Sequence, residues 1–152
     1  MILEVNDLHV NYGAIKAVKG ISFYVDKGEI VTLIGANGAG KTSTLRAITG
    51  LEKVAQGSIH FKDTDIINMA PHKIVAMGIT HVPEGRRIFT NMTVMENLRL
   101  AALLNKDPEI TKAAYEKIFD LFPRLKERYM QSTLTLSGGE QQMLAVARAI
   151  VT

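Results

Sequence analysis

Residues Gly35-Ala36-Asn37-Gly38-Ala39-Gly40-Lys41-Thr42 set two glycines, a lysine and a hydroxyl residue in the spacing Gly-x-x-x-x-Gly-Lys-Ser/Thr. Each fixed position has a chemical task. The glycines let backbone amides turn inward, and those amides hold phosphate oxygens together with the positive end of the helix that follows. Lys41 adds a point charge near the β and γ phosphates, and Thr42 offers its hydroxyl to Mg²⁺. With this composition the pattern arises by chance in roughly 1 in 100 such chains, before its strand-to-helix setting is demanded. The alternative is a glycine turn capping a helix, with a surface lysine.

A second glycine motif lies about a hundred residues on, in Leu136-Ser137-Gly138-Gly139-Glu140-Gln141-Gln142. Ser137 followed by Glu140 is a capping box, and Met143, Leu144, Ala147, Ile150 and Val151 form an apolar stripe beyond it, with Arg148 outside the stripe. By itself such a box opens an ordinary capped helix. Two residues without side chains at a helix start also leave amides and a positive dipole end open to an anion, which capping does not require.

The elements that must position these motifs follow from periodicity. Leu3, Val5, Leu8 and Val10 keep a broken period of two, and Ile21, Phe23 and Val25 alternate with Ser22 and Tyr24, as half-exposed antiparallel strands do. Residues 30–34 are apolar except for Thr32, so 29–34 reads as a strand covered on both faces of a mostly parallel sheet. A helix follows Gly40, with Leu45 and Ile48 on one face and Gly50 as its stop. Residues 57–61 read as a short strand, 71–77 as a helix opened by Pro71, and 79–82 as a second buried strand closed by Pro83. From Thr93 the pattern turns helical. Val94, Leu98, Ala101 and Ala102 share one face, and Ala114, Ile118, Leu121 and Phe122 share another, with Pro108 and Pro123 between and after them.

Composition narrows the classes. The 152 residues are 47% hydrophobic and 22% charged, the balance of a soluble globular chain. Eight cations face seven anions over 1–76 and ten face eight over 77–152, so no basic tail or patch points to nucleic acid. Without cysteine there is no disulfide, thiolate zinc site or thiol nucleophile. His9, His60, His72 and His81 show no metal-ligand spacing. No apolar run approaches the roughly 20 residues of a membrane-spanning helix, and residues 1–5 do not open a secretory signal.

Together the two glycine motifs resemble the nucleotide-binding subunit of an ABC transporter. The run Val82-Pro83-Glu84-Gly85-Arg86-Arg87-Ile88-Phe89, then Thr93-Val94-Met95-Glu96-Asn97-Leu98 and Leu121-Phe122-Pro123-Arg124-Leu125, is similar to the ATPases of branched-chain amino acid importers. The resemblance implies an α/β P-loop NTPase core with an N-terminal antiparallel β subdomain and a helical subdomain. The division it implies is 1–92 for β subdomain and phosphate-loop core, 93–135 for the helical part, and 136–152 for signature and helix.

For the site, the resemblance implies ATP held by Gly35, Asn37, Gly38, Ala39, Gly40, Lys41, Thr42 and Ser43, with Tyr12 stacked on adenine. A tyrosine at a strand end can equally pack at the rim of a core. Leu136, Ser137, Gly138, Gly139, Glu140 and Gln141 would contact the γ-phosphate of ATP held by the opposite subunit of a sandwich dimer. Glu84 stands where most of these ATPases carry glutamine, facing Mg²⁺ and the attacking water, and Thr42 is the other expected Mg²⁺ residue. The implied partners are a second ATPase subunit and membrane permease subunits, with a solute-binding protein engaged only indirectly, at the cytoplasmic face of the membrane.

In that family the chain continues past the position of Thr152 into a strand ending in aspartate and glutamate, and later a switch histidine. The expectation is therefore a piece of the domain, marginally folded alone, that keeps some phosphate affinity without turnover. Other readings are a nucleotide-binding fragment without activity and an importer ATPase for another amide or amino acid. A DNA-maintenance ATPase would need a long coiled coil between the motifs, and 93–135 shows no sustained heptads. A small kinase or GTPase would leave the second glycine motif without a role.

Overall fold

A computed structural model describes residues 1–85, 87–105 and 107–152. Its contacts divide the chain into two compact units, Met1–Ile79 and Thr80–Thr152.

The first unit is built on an antiparallel sheet. Strands β1 (Leu3–Tyr12) and β2 (Ile15–Val25) pair from Leu3 opposite Val25 to Tyr12 opposite Ile15, and Gly13 turns between them with φ +57°. β3 (Val54–Phe61) adds to the other edge of β1, and the short β4 (Thr64–Asp65) completes the order β2-β1-β3-β4. Val5, Leu8, Val10, Val54, Ile59 and Phe61 turn one face of this sheet onto Ala47 and Ile48 of α1 (Lys41–Ile48). That helix stops as a Schellman motif: the Gly50 amide donates to the Ala47 carbonyl at 3.1 Å and the Leu51 amide to that of Arg46 at 2.8 Å, with Gly50 at φ +70°. α2 (Pro71–Ala76) starts on proline and buries Ile74.

In the second unit, α6 (Gly138–Val151) packs against α3 (Val94–Ala101), α4 (Pro108–Leu121) and α5 (Pro123–Glu127). Val94, Leu98, Ile118, Leu125, Leu144, Ala147 and Val151 are fully buried there. α3 opens on a capping box of Thr93 and Glu96 that sequence reading passed over.

Several expectations fail. Residues 29–34 form no strand, and Ile30 and Ile34 are 93% and 91% exposed. A parallel strand needs neighbours that accept and donate along both edges, and every ladder among the described residues is antiparallel and closed among β1–β4. The same lack leaves 79–82 without strand structure. Leu45 is half-exposed, because α1 turns Thr44, Ala47 and Ile48 inward instead. Leu121 is exposed at the end of α4, where Phe122 leaves the helical course with ψ 71°. On α6 the buried stripe is Leu144, Ala145, Ala147 and Val151, with Met143 and Ile150 at its margins and Arg148 half-buried.

Candidate functional site

Lys41 heads α1 directly after the glycine loop, and the N-cap Gly40 lies in the left-handed region at φ +86°. A Cβ at position 40 would stand 2.5 Å from the Ala17 carbonyl oxygen, so only glycine lets the loop approach β2 this closely. Gly38 is left-handed as well, at φ +85°, but faces open space. The Lys41 ammonium donates to the carbonyl oxygens of Gly35 at 2.7 Å and Ala36 at 2.8 Å, lying across the loop.

The first intrahelical bond of α1 runs from the Thr44 amide to the Gly40 carbonyl, 2.8 Å. Among the described residues, no acceptor meets the amides of Lys41, Thr42 and Ser43. The Thr42 hydroxyl is exposed and likewise unbonded, whereas that of Thr44 is spent on the Gly40 carbonyl at 2.9 Å. Three free amides, the positive helix end and the Lys41 ammonium form an arrangement able to accept a polyanion. Beside it, Lys16, Ala17 and Val18 of β2 and Gly38, Ala39 and Thr44 line an open depression of about 350 Å³. Tyr12 is 41% exposed at the end of β1, and its hydroxyl donates to Ser43 Oγ at 3.2 Å. Asn37 is exposed at the tip of the loop.

The remaining candidates lie in the second unit. The Ser137 amide donates to Glu140 Oε2 at 2.8 Å and the Glu140 amide to Ser137 Oγ at 3.3 Å, so the expected capping box forms. Those Ser137 hydrogen bonds, with Arg128 and Arg124 adding attraction, hold the Glu140 carboxyl below the usual carboxylate range. Arg128 Nε lies 3.2 Å from Glu140 Oε1. Gln141 donates its side-chain amide to the Thr133 carbonyl at 3.1 Å, and Leu136 is buried beneath the helix start. A side chain at position 139 would meet nothing within 4 Å, so packing does not demand Gly139. Among the described residues the Gly138 and Gly139 amides have no acceptor, which leaves this helix start open to an anion too.

Glu84 is exposed on a turn with Gly85 at φ +76°. Arg86 lies outside the described residues. Sequence reading missed Asn97, which is fully buried and grips the backbone of Phe89 from both sides. Its signal was an asparagine on the buried side of α3, one residue before Leu98.

Residues 18–152 match the pattern shared by ABC transporters. The chain belongs to that family. It is 44% identical over 150 residues to the high-affinity branched-chain amino acid transport ATP-binding protein BraG of Pseudomonas aeruginosa, covering 99% of this chain and 64% of the relative. The probable branched-chain amino acid transport ATP-binding protein LivF of Archaeoglobus fulgidus is 34% identical, with 99% and 63% covered. The crystal structure of MJ1267, an ATP-binding cassette of an ABC transporter in its ADP conformation, superposes with a TM-score of 0.82 at 29% identity, over 99% of this chain and 64% of that one. The chain thus spans about 64% of the length of BraG and of MJ1267, and its fold is that of the corresponding part of an ATP-binding cassette.

Proposed function

We propose that the protein carrying this chain is the ATP-binding and ATP-hydrolysing subunit that powers import of branched-chain amino acids through a membrane permease. The observation that carries this reading is the set of free amides of Lys41, Thr42 and Ser43 behind a glycine loop that only Gly40 can close. The 44% identity to BraG, a branched-chain amino acid transport ATP-binding protein, supports the solute.

In this reading Lys41 leaves the neutral Gly35 and Ala36 carbonyls for the β and γ phosphates, where its ammonium meets ionised acceptors and so gains ion-pair attraction as well as hydrogen bonds. Tyr12 presents its ring to adenine while its hydroxyl stays on Ser43. The unbonded Thr42 hydroxyl fits a magnesium ligand, and Glu84 would be the carboxylate that serves the metal and the attacking water. Bound Mg²⁺ would neutralise charge gathering on the phosphate oxygens. The Ser137, Gly138 and Gly139 end of α6 would meet the γ-phosphate of ATP on a second, homologous subunit, so nucleotide closes a dimer against permease subunits at the cytoplasmic membrane face.

Two measurements on the whole subunit test this. Uptake of labelled leucine and MgATP hydrolysis should both be lost with Lys41→Ala. ATP-dependent dimerisation, followed by size-exclusion chromatography, should be lost with Ser137→Arg while monomer nucleotide binding persists. Undiminished leucine uptake in the Lys41→Ala strain would refute the transport role.

A further inference from the structure

The segment that follows Glu84 is pinned at Arg87, Phe89 and Thr90 by three side chains. Asn97 Oδ1 accepts from the Phe89 amide at 2.9 Å, and its Nδ2 donates to the carbonyls of Phe89 and Thr93, both at 3.0 Å. Thr133 Oγ1 donates to the Phe89 and Thr90 carbonyls at 3.0 and 3.1 Å. The third is Arg148, in the last turn of α6. Its guanidinium lies over the Phe89 ring, 4.7 Å from the centroid, and donates through Nη1 to the Arg87 carbonyl at 2.8 Å.

Two features set Arg148 apart from plain packing. Arg87 sits in the left-handed region at φ +42°, a conformation costly for a residue with a Cβ; its amide donates to the Gly85 carbonyl at 2.7 Å within the turn, and Arg148 holds its carbonyl from outside the turn. Among the described residues the Arg148 Nε is buried without a partner, and burial pushes the guanidinium pKa down. A charged group kept partly desolvated with an unmatched donor costs stability that an apolar side chain of similar length would not. The helix that supplies this grip is also the one headed by Ser137-Gly138-Gly139. Arg148 lies eleven positions after Ser137, about 16 Å along the helix axis.

We propose that Arg148 is a positioning residue: through the Arg87 carbonyl and the Phe89 ring it locks the Glu84 loop to α6, so that the glycine end of that helix and Glu84 move as one body. The inference rests on the reading above only in giving Glu84 and the α6 start their nucleotide roles; the lock itself is a property of this chain.

Hydrogen exchange on the chain, resolved to segment 87–92 and to α4 as control, reads the lock without any nucleotide. Arg148→Met should speed exchange over 87–92 about tenfold, with α4 unchanged. Phe89→Leu, which keeps the arginine and removes the ring, should give the same change, and Arg148→Lys should restore part of the protection. In the whole subunit, Arg148→Met should lower kcat about tenfold while KM for MgATP stays within about twofold, the signature of lost positioning rather than lost binding. Unchanged exchange over 87–92 in both Arg148→Met and Phe89→Leu overturns the lock, as does a rise shared equally by α4. An intact kcat despite faster loop exchange overturns the positioning role. A wild-type subunit that does not hydrolyse MgATP would refute the proposed activity, and the exchange result would still decide the lock.

Discussion

The Tyr12 hydroxyl donates to Ser43 Oγ at 3.2 Å, which ties the end of β1 to the first turn of α1. The aromatic ring and the phosphate loop are thus held in one unit, at a fixed offset from each other. Tyr12→Ala is expected to weaken ATP binding by about 0.5–1.5 kcal/mol, the scale of an aromatic contact beyond area burial. Tyr12→Phe and Ser43→Ala, which lose only an exposed hydrogen bond, should each cost less. A fluorescent ATP analogue titrated into the three variants checks the order; Tyr12→Phe as damaging as Tyr12→Ala would move the contribution from ring to hydroxyl.

Gly40 and Gly38 share a left-handed backbone but not a neighbourhood. Gly38→Ala should therefore destabilise the chain only by the conformational penalty, about 1–2 kcal/mol. Gly40→Ala adds a clash with the Ala17 carbonyl and should cost distinctly more, with nucleotide affinity lost as the loop leaves β2. Urea denaturation of the two variants side by side gives the comparison. Equal midpoints would mean that the approach to Ala17 is unimportant.

The phosphate loop, the helix behind it and the Ser137 capping box were legible in the sequence because each depends on a few adjacent residues. The β1–β2 pair was legible for the same reason. What escaped depends on neighbours distant in sequence. Residues 29–34 carry the composition of a covered strand, yet no strand among the described residues lies beside them, and Ile30 and Ile34 face outward. Arg148 was placed outside the α6 stripe on helical spacing, whereas Phe89 and the Arg87 carbonyl, some sixty residues earlier, draw it in. Asn97 looks like an ordinary polar helix residue until the backbone of Phe89 folds over it.

Acid should weaken the second unit. The Glu140 carboxyl is held below its ordinary value of 4.5, first by the Ser137 hydrogen bonds and then by Arg128 and Arg124, and Glu96 is lowered in the same way by Thr93. A carboxylate with a depressed folded-state pKa contributes stability that is complete above the unfolded value and is lost as pH falls through the folded one. The urea midpoint should therefore drop as pH is lowered from about 5 to about 3. Glu140→Gln should flatten part of that drop, leaving the share owed to Glu96. A variant with the wild-type slope would show that Glu140 is not anchored at the α6 start.

Calorimetric titration of MgATP into the chain tests most directly whether the loop from Gly35 to Thr42 binds the phosphates of ATP. The wild-type chain should bind one nucleotide saturably. Lys41→Ala should bind about ten- to a hundredfold more weakly, the worth of a charge-assisted phosphate contact, with an unchanged thermal midpoint in the absence of nucleotide to within a few degrees. Equal affinity in the two proteins, or no saturable binding by the wild type, would contradict the account.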